Sequence, residues 1–101
     1  MAVYFIVEIA TAAGDKKDYA EYIGKVRPVV EKYKGKYLAR GGKVTAVFGN
    51  WDPERMILIE FPSSEDVRQW LNSPEYLAIA PLRENSVSTR AVMIEGCGDD
   101  C

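Results

Sequence analysis

The chain of 101 residues has the length of one domain, and 48% apolar with 28% charged residues is typical of a globular protein. A formal net charge of −2 excludes a strongly positive surface, so no nucleic-acid partner is expected. No apolar run approaches the ~20 residues that cross a bilayer, and residues 1–6 lack the basic segment of a signal peptide. We therefore expect a cytoplasmic protein with no membrane partner.

Histidine is absent, which excludes histidine-based acid–base catalysis, Ser-His-Asp and Cys-His nucleophiles, and most zinc and haem sites. The two cysteines, Cys97 and Cys101, lie too close together to join distant parts of a core. We expect a folded domain over residues 1–96 and a flexible tail with reactive thiols at 97–101. No metal or cofactor is expected.

The chain begins with a pattern that predicts a strand and then a helix. Residues 3–9 are apolar on both faces, as in a strand whose two sides are covered. Asp15 can cap a helix over about residues 15–34, with Gly35 as its left-handed C-terminal cap. Pro28 inside this helix predicts a kink or a division into two short helices.

Two further strands are predicted in the middle of the chain. Residues 37–40 begin the second strand, which the glycines at 41–42 interrupt with a bulge or sharp bend before 44–48 continue it. Residues 49–53 are rich in turn formers, and the third strand follows at 55–61.

The last part of the chain predicts a helical region in pieces and a final strand. Ser63 or Ser64 caps the first piece, Ser73 with Pro74 starts another, and Pro81 divides that piece again. Residues 88–95 form the last strand.

The order βαββαβ predicts an α+β fold with a four-stranded antiparallel sheet and its helices on one face. Three strands are apolar on both faces, so a single copy would expose a large apolar surface. We therefore expect a homodimer in which two sheets pack face to face across a two-fold axis. The alternative is that strand ends and loops of the same chain cover that face.

Several segments together resemble the domain-of-unknown-function family 1330, and the resemblance extends from Tyr4 to Gly96. They are residues 35–42 (GKYLARGG), 60–63 (EFPS), 70–76 (WLNSPEY), 82–83 (LR), Arg90 and 95–96 (EG). The resemblance implies a ferredoxin-like βαββαβ sheet that pairs into a dimeric α+β barrel. Its wider superfamily includes cofactor-free monooxygenases, small isomerases, haem-degrading enzymes and amino-acid-binding regulator domains, so it implies no single activity.

Arg40 and Arg90 lie in predicted strands, where a long cation is unusual unless it is paired or at an end. Together they form a candidate site for the carboxylate of a small ligand. The alternative is internal ion pairing with Glu8, Glu60 or Glu95.

Other side chains are candidates for the same ligand-binding site. Tyr37, Trp51 and Tyr76 are expected to line an aromatic pocket between helices and sheet, or else to fill the core. Arg83 and Asn85, after the broken helix, are expected at the pocket mouth or on a solvated surface.

Three functions remain open from the sequence. The first is binding of a small anionic or aromatic organic molecule in a pocket between helices and sheet. The second is a cofactor-independent monooxygenase or isomerase-like enzyme, which only the superfamily suggests. The third is a non-catalytic dimerisation or regulatory module, for which a filled interior is expected. The sequence names neither a ligand nor a catalytic residue.

Overall fold

A computed structural model describes residues 2–10 and 16–97 of the chain. Within these residues the order of elements is βαββααβ, because two consecutive helices occupy the second helical region. The elements are β1 Val3–Ala10, α1 Lys16–Lys32, β2 Lys36–Arg40, β3 Arg55–Phe61, α2 Ser64–Leu71, α3 Pro74–Glu84 and β4 Ser88–Glu95. No helix in the described part of the chain is long and apolar enough to cross a membrane.

The four strands form one sheet in the order β2-β3-β1-β4, and every neighbouring pair is antiparallel. This arrangement confirms the predicted ferredoxin-like α+β fold. Ile9 of β1 lies opposite Arg55 of β3 on one side and opposite Thr89 of β4 on the other. Directly opposite residues in antiparallel strands share a face, so the register decides which side chains meet.

One face of the sheet, here called the inner face, packs against the helices. Val3, Val7 and Ile9 of β1 are buried on it, and Phe61 of β3 is fully buried. The helices face it through apolar side chains at helical spacing. These are Tyr19, Tyr22, Val26 and Val30 of α1, Val67 and Trp70 of α2, and Tyr76, Ile79 and Ala80 of α3.

Trp70 is the centre of an aromatic cluster on the inner face. Its ring centroid lies 5.5 Å from that of Phe61 in a stacked arrangement and 5.3 Å from that of Phe5 in an edge-to-face arrangement. The Tyr76 ring lies 4.9 Å away. These distances are in the favourable range for aromatic pairs, so the cluster fixes α2 and α3 on the sheet.

The two short helices begin at the predicted serines. The Ser63 hydroxyl accepts from the amide of Asp66, and the Ser73 hydroxyl accepts from the amide of Tyr76 at 3.1 Å. Each contact satisfies an amide that has no partner within its helix. These two caps confirm the predicted break between α2 and α3.

Of the two forms expected around Pro28, the structure has one helix and not two short ones, since α1 is continuous through Pro28. The expected division at Pro81 is wrong, because α3 is continuous through that residue. Proline keeps a helical φ of about −65° and removes one backbone donor, so a helix that is packed along its length tolerates it. In α1 the carbonyl that Pro28 approaches belongs to Gly24, which is exposed.

The left-handed residue after α1 is Lys34, with φ 73°, and not Gly35 as expected. The Gly35 amide donates to the carbonyl of Val30 at 2.9 Å, which closes the helix in a Schellman arrangement. Gly35 is needed for a different reason, since a Cβ there would lie 2.9 Å from the Phe61 ring and would also contact Val30.

The expected continuation of β2 through residues 44–48 is also wrong. Arg40 pairs with Ile57, and β3 begins only two residues earlier, at Arg55. No length of β3 is therefore left to pair with residues 44–48, which carry no regular structure. The bulge lies at Leu38, between Tyr37 and Ala39. Of the two forms expected at the glycines 41–42, the chain takes the bend, at Gly41 with φ 72°.

Two expectations fall at the edges of the described residues. The Asp15 cap and residues 98–101 of the tail lie outside them. Cys97 is disulfide-bonded, so the expectation of a reactive thiol at this position is wrong.

Two glycine substitutions test the packing of α1 against β3. Gly35→Ala forces its methyl group against buried Val30 and Phe61, so we expect a loss of about 1–3 kcal/mol in the free energy of unfolding. Gly24→Ala places its methyl in open space on a helix, where we expect a gain of about 0.5–1 kcal/mol. Urea unfolding measures both, and equal effects of the two changes would contradict the described packing.

Candidate functional site

A cavity of about 220 Å³ lies between the inner face of the sheet and the helices. Its walls are mainly apolar and aromatic, but three arginines and four tyrosines also line it. Among the described residues no aspartate or glutamate does. The polar lining consists of Arg40, Arg55, Arg83, Tyr19, Tyr22, Tyr37, Tyr76 and Thr89, with Trp70 beside them.

Arg40 reaches this cavity because of the bulge at Leu38. Regular alternation would place Arg40 on the face opposite to Tyr37, since the two are three residues apart. The extra residue in the bulge restores both side chains to the inner face. There the Arg40 guanidinium stacks 4.7 Å from the Tyr37 ring centroid, and its Nη2 donates to the carbonyl of Ile23 at 2.7 Å.

A chain of hydrogen bonds joins three of the lining residues at the α1–α3 side. The Tyr22 and Tyr76 hydroxyls are 3.1 Å apart, and Arg83 Nε donates to the Tyr76 hydroxyl at 3.2 Å. Burial raises the pKa of Tyr22, and the neighbouring Tyr76 raises it further. Burial likewise raises the pKa of Tyr37. The Tyr22 and Tyr37 hydroxyls therefore remain protonated near neutral pH and act as hydrogen-bond donors or acceptors.

Four buried polar atoms in the described part of the chain have no hydrogen-bond partner, and all four belong to residues that line the cavity. They are the Tyr19 hydroxyl, Arg55 Nε, Trp70 Nε1 and the Thr89 hydroxyl. An unpartnered buried polar group is costly and uncommon in folded proteins. Their convergence on one cavity is typical of a ligand site.

Sequence reasoning missed Tyr19, Tyr22, Arg55, Trp70 and Thr89 as candidate site residues. A signal was present for Arg55, which is a cation within a predicted strand and shares its face with Ile57 and Ile59. No comparable local signal marks Thr89 or Tyr19, whose place in the cavity depends on the pairing of β4 with β1 and on the packing of α1.

Arg90 and Trp51 lie on the other face of the sheet, here called the outer face. Arg90 Nε donates to a carboxylate oxygen of Glu8 at 2.7 Å, and Trp51 Nε1 donates to the other oxygen at 2.8 Å. Arg90 therefore forms one of the ion pairs anticipated as the alternative. The expected joint site of Arg40 and Arg90 does not form, because β4 pairs with β1 in the register that sets Arg90 opposite Glu8.

The remaining predicted residues divide in the same way. Tyr37, Tyr76 and Arg83 line the cavity with Arg40, whereas Trp51 does not. Asn85 is an exposed C-terminal cap of α3 and does not reach the cavity, although Arg83, two residues earlier, does.

The outer face is rich in apolar side chains that the helices do not cover. Val92 and Ile94 of β4 are 63% and 55% exposed. They lie opposite Ile6 and Tyr4 of β1. A contiguous apolar surface of this kind is typical of a protein interface.

Comparison with protein families gives a match over residues 2–97 to the family described as Domain of unknown function (DUF1330). The chain belongs to the DUF1330 family. This match confirms the resemblance noted in the sequence. No curated protein matches the chain.

Solved structures similar to this DUF1330 chain share its fold. A protein of unknown function from Rhodopseudomonas palustris has a TM-score of 0.79 and 17% identity, with 96% of this chain and 83% of that chain covered. SnoaB, a cofactor-independent oxygenase from Streptomyces nogalater, has a TM-score of 0.65 and 12% identity, with 98% and 96% covered. A dimeric protein of unknown function with a ferredoxin-like fold from Bacteroides fragilis has a TM-score of 0.57 and 15% identity, with 94% and 96% covered.

Acidification tests the contact of Trp51 with Glu8. Hydrogen bonds from Trp51 and Arg90 lower the pKa of Glu8 below its ordinary value of about 4.3. This contact is at full strength above the ordinary pKa and is lost as the pH falls through the lowered one. We expect Trp51 fluorescence, taken as the difference from Trp51→Phe protein, to change in that acid range.

Glu8→Gln is the matched variant for this titration, because it keeps the shape of the side chain and cannot ionise. In that variant the acid change in Trp51 fluorescence should disappear. An unchanged acid transition in Glu8→Gln protein would show that another group controls Trp51.

Proposed function

We propose that this DUF1330 protein binds a small organic molecule with an anionic group on an aromatic or apolar body, in the cavity between helices and sheet. The observation that carries the proposal is a cavity lined by three arginines and, among the described residues, by no carboxylate.

The charge of the lining favours an anion. Cations in an apolar environment lose hydration, and this loss is offset when an acceptor of opposite charge is present. Arginine also matches a carboxylate in shape, since its planar fork donates two parallel hydrogen bonds. An anionic ligand would supply the acceptors that the lining residues lack.

The size and walls of the cavity favour a single aromatic ring. Its volume of about 220 Å³ is below the range of roughly 300–1,000 Å³ common for drug-sized ligands. Tyr22, Trp70 and Tyr76 offer ring faces and edges to such a body. A filled interior is expected of a purely non-catalytic module, whereas these residues line a cavity.

The cofactor-independent oxygenase is the enzymatic alternative, and the fold similarity to SnoaB supports it. In a reaction without a cofactor the substrate itself must supply the electrons to oxygen, and an ionised phenol does this more readily than a neutral one. Arginines at the cavity favour ionised oxygen groups through their charge. The binding site would then be the place of reaction.

We also propose that two copies of the chain associate through their outer faces. The exposed Val92 and Ile94 support this, because a lone sheet face with such side chains is seldom left in water. The Bacteroides fragilis protein of similar fold is described as dimeric, which also supports the proposal.

Tryptophan fluorescence tests ligand binding directly. The chain has two tryptophans, and in Trp51→Phe protein the remaining one, Trp70, lines the cavity. We expect benzoate, 4-hydroxybenzoate or phenylacetate to change Trp70 emission in a saturable way. Ala91→Phe, which adds bulk to the cavity wall, should abolish that change while preserving the fold.

The absence of a saturable change with all three acids would contradict the binding proposal. Oxygen uptake, followed in parallel with hydroquinones, separates the two versions of the function. If the protein takes up oxygen faster than the blank and Ala91→Phe abolishes this uptake, the oxygenase is favoured. Binding without oxygen uptake would favour a binding protein.

Sedimentation equilibrium tests the association of two copies. We expect a dimer at micromolar concentration, and a monomer after Val92→Lys combined with Ile94→Lys, because buried lysines without partners oppose the contact. Lys16→Glu, at the exposed first residue of α1, is the charge-changing control and should remain dimeric. A wild-type monomer under these conditions would contradict the proposal.

A further inference from the structure

Three polar side chains converge at the end of the cavity around Ile9. Arg55 and Thr89 lie directly opposite Ile9 on its two neighbouring strands, so all three share the inner face. Tyr19 of α1 lies over this end, with its ring centroid 5.9 Å from Arg55 Cζ. Each of the three polar residues has a buried donor atom without a hydrogen-bond partner among the described residues.

The position of Arg55 depends on Gly41. A Cβ at Gly41 would collide with the Arg55 guanidinium, and the φ of +72° at Gly41 also disfavours other residues. Gly41, the first residue after β2, thus leaves room for the guanidinium. This end of the cavity therefore accommodates the Arg55 guanidinium, whose buried Nε can donate a hydrogen bond to a ligand.

Arg83, another arginine of the lining, differs from Arg55 in its hydrogen bonding. Its Nε already donates to the Tyr76 hydroxyl, which is also bonded to Tyr22. An incoming anion at Arg83 Nε would have to displace an existing bond, whereas at Arg55 and Tyr19 it would meet donors without partners. Arg55 and Tyr19 are therefore better placed than Arg83 to receive an anionic group.

We propose that Arg55 Nε and the Tyr19 hydroxyl bind the carboxylate of an aromatic acid, and that Thr89 closes the same end. The ring then lies towards Trp70, whose unpartnered Nε1–H suits an acceptor oxygen on the ring. The ligand class is a single-ring aromatic carboxylate with a second oxygen on its ring. This inference rests on the proposed function and assigns the charged end of that ligand to residues the sequence did not indicate.

A pair of probes that differ in charge tests the assignment. In Trp51→Phe protein, Trp70 emission reports the binding of 4-hydroxybenzoate and of neutral 4-hydroxybenzyl alcohol. We expect the protein to prefer the carboxylate by about tenfold or more, which is typical of hydrogen bonds to a charged group. Arg55→Met, which keeps the length of the side chain, should bring the two affinities close together.

Two further variants make the result specific. Tyr19→Phe removes one hydroxyl and should reduce the carboxylate preference several-fold. If circular dichroism shows that Arg55→Met does not fold, Tyr19→Phe alone tests the assignment. Arg83→Met removes a cation whose Nε is already bonded to Tyr76, so it should weaken both probes together and leave their ratio unchanged.

The outcomes separate this inference from the function on which it rests. If neither probe binds to the parent protein, the proposed function fails and the subsite with it. If the carboxylate preference survives in Arg55→Met and Tyr19→Phe, or is lost in Arg83→Met instead, binding stands and the assignment of the charged end is overturned.

Discussion

Apolar side chains on both faces of the four-stranded sheet govern the rest of this structure, because the three helices cover only one of those faces. The inner face buries Val7, Ile9 and Phe61 under the helices and encloses the cavity. The outer face presents Val92 and Ile94 to the surroundings. One physical constraint thus separates the cavity, where we propose that a ligand binds, from the exposed face, where we propose that a second copy of the chain packs.

The arginines of the strands also divide between the two faces of the sheet. The bulge at Leu38 brings Arg40 to the inner face, and the register of β3 against β1 brings Arg55 there. The pairing of Arg90 with Glu8 places that arginine on the outer face instead. Positive charge therefore collects around the cavity, while the outer cation is neutralised by a carboxylate. This asymmetry supports an anionic ligand inside and a structural ion pair outside.

The predictions that succeeded depend on local chemistry. The caps at Ser63 and Ser73 and the limits of β3 and β4 follow from short patterns that any chain with these residues would share. The strand over residues 44–48 failed because a strand also needs a partner, and the partner lies elsewhere in the chain. The position of Arg40 was also beyond a local pattern, since a bulge reverses the alternation from which a face is inferred.

Half of the polar side chains that line the cavity could be anticipated from the sequence. Tyr37, Arg40, Tyr76 and Arg83 were expected at a ligand and line the cavity, whereas Arg90, Trp51 and Asn85 do not. Strand residues can be assigned to a pocket only when the register is known, because a shift of one residue moves every side chain to the other face. Arg55 is the exception, because it is two residues from apolar Ile57 and its place on the inner face could have been inferred without the register.

Native mass spectrometry of protein purified from its own cells tests both proposals together, namely that one sheet face holds a ligand and that the other holds a second copy. We expect a species of two chains that carries a small acidic organic molecule in each subunit and releases it on collisional activation. A single chain with no added mass, obtained under conditions that preserve known dimers, would contradict it.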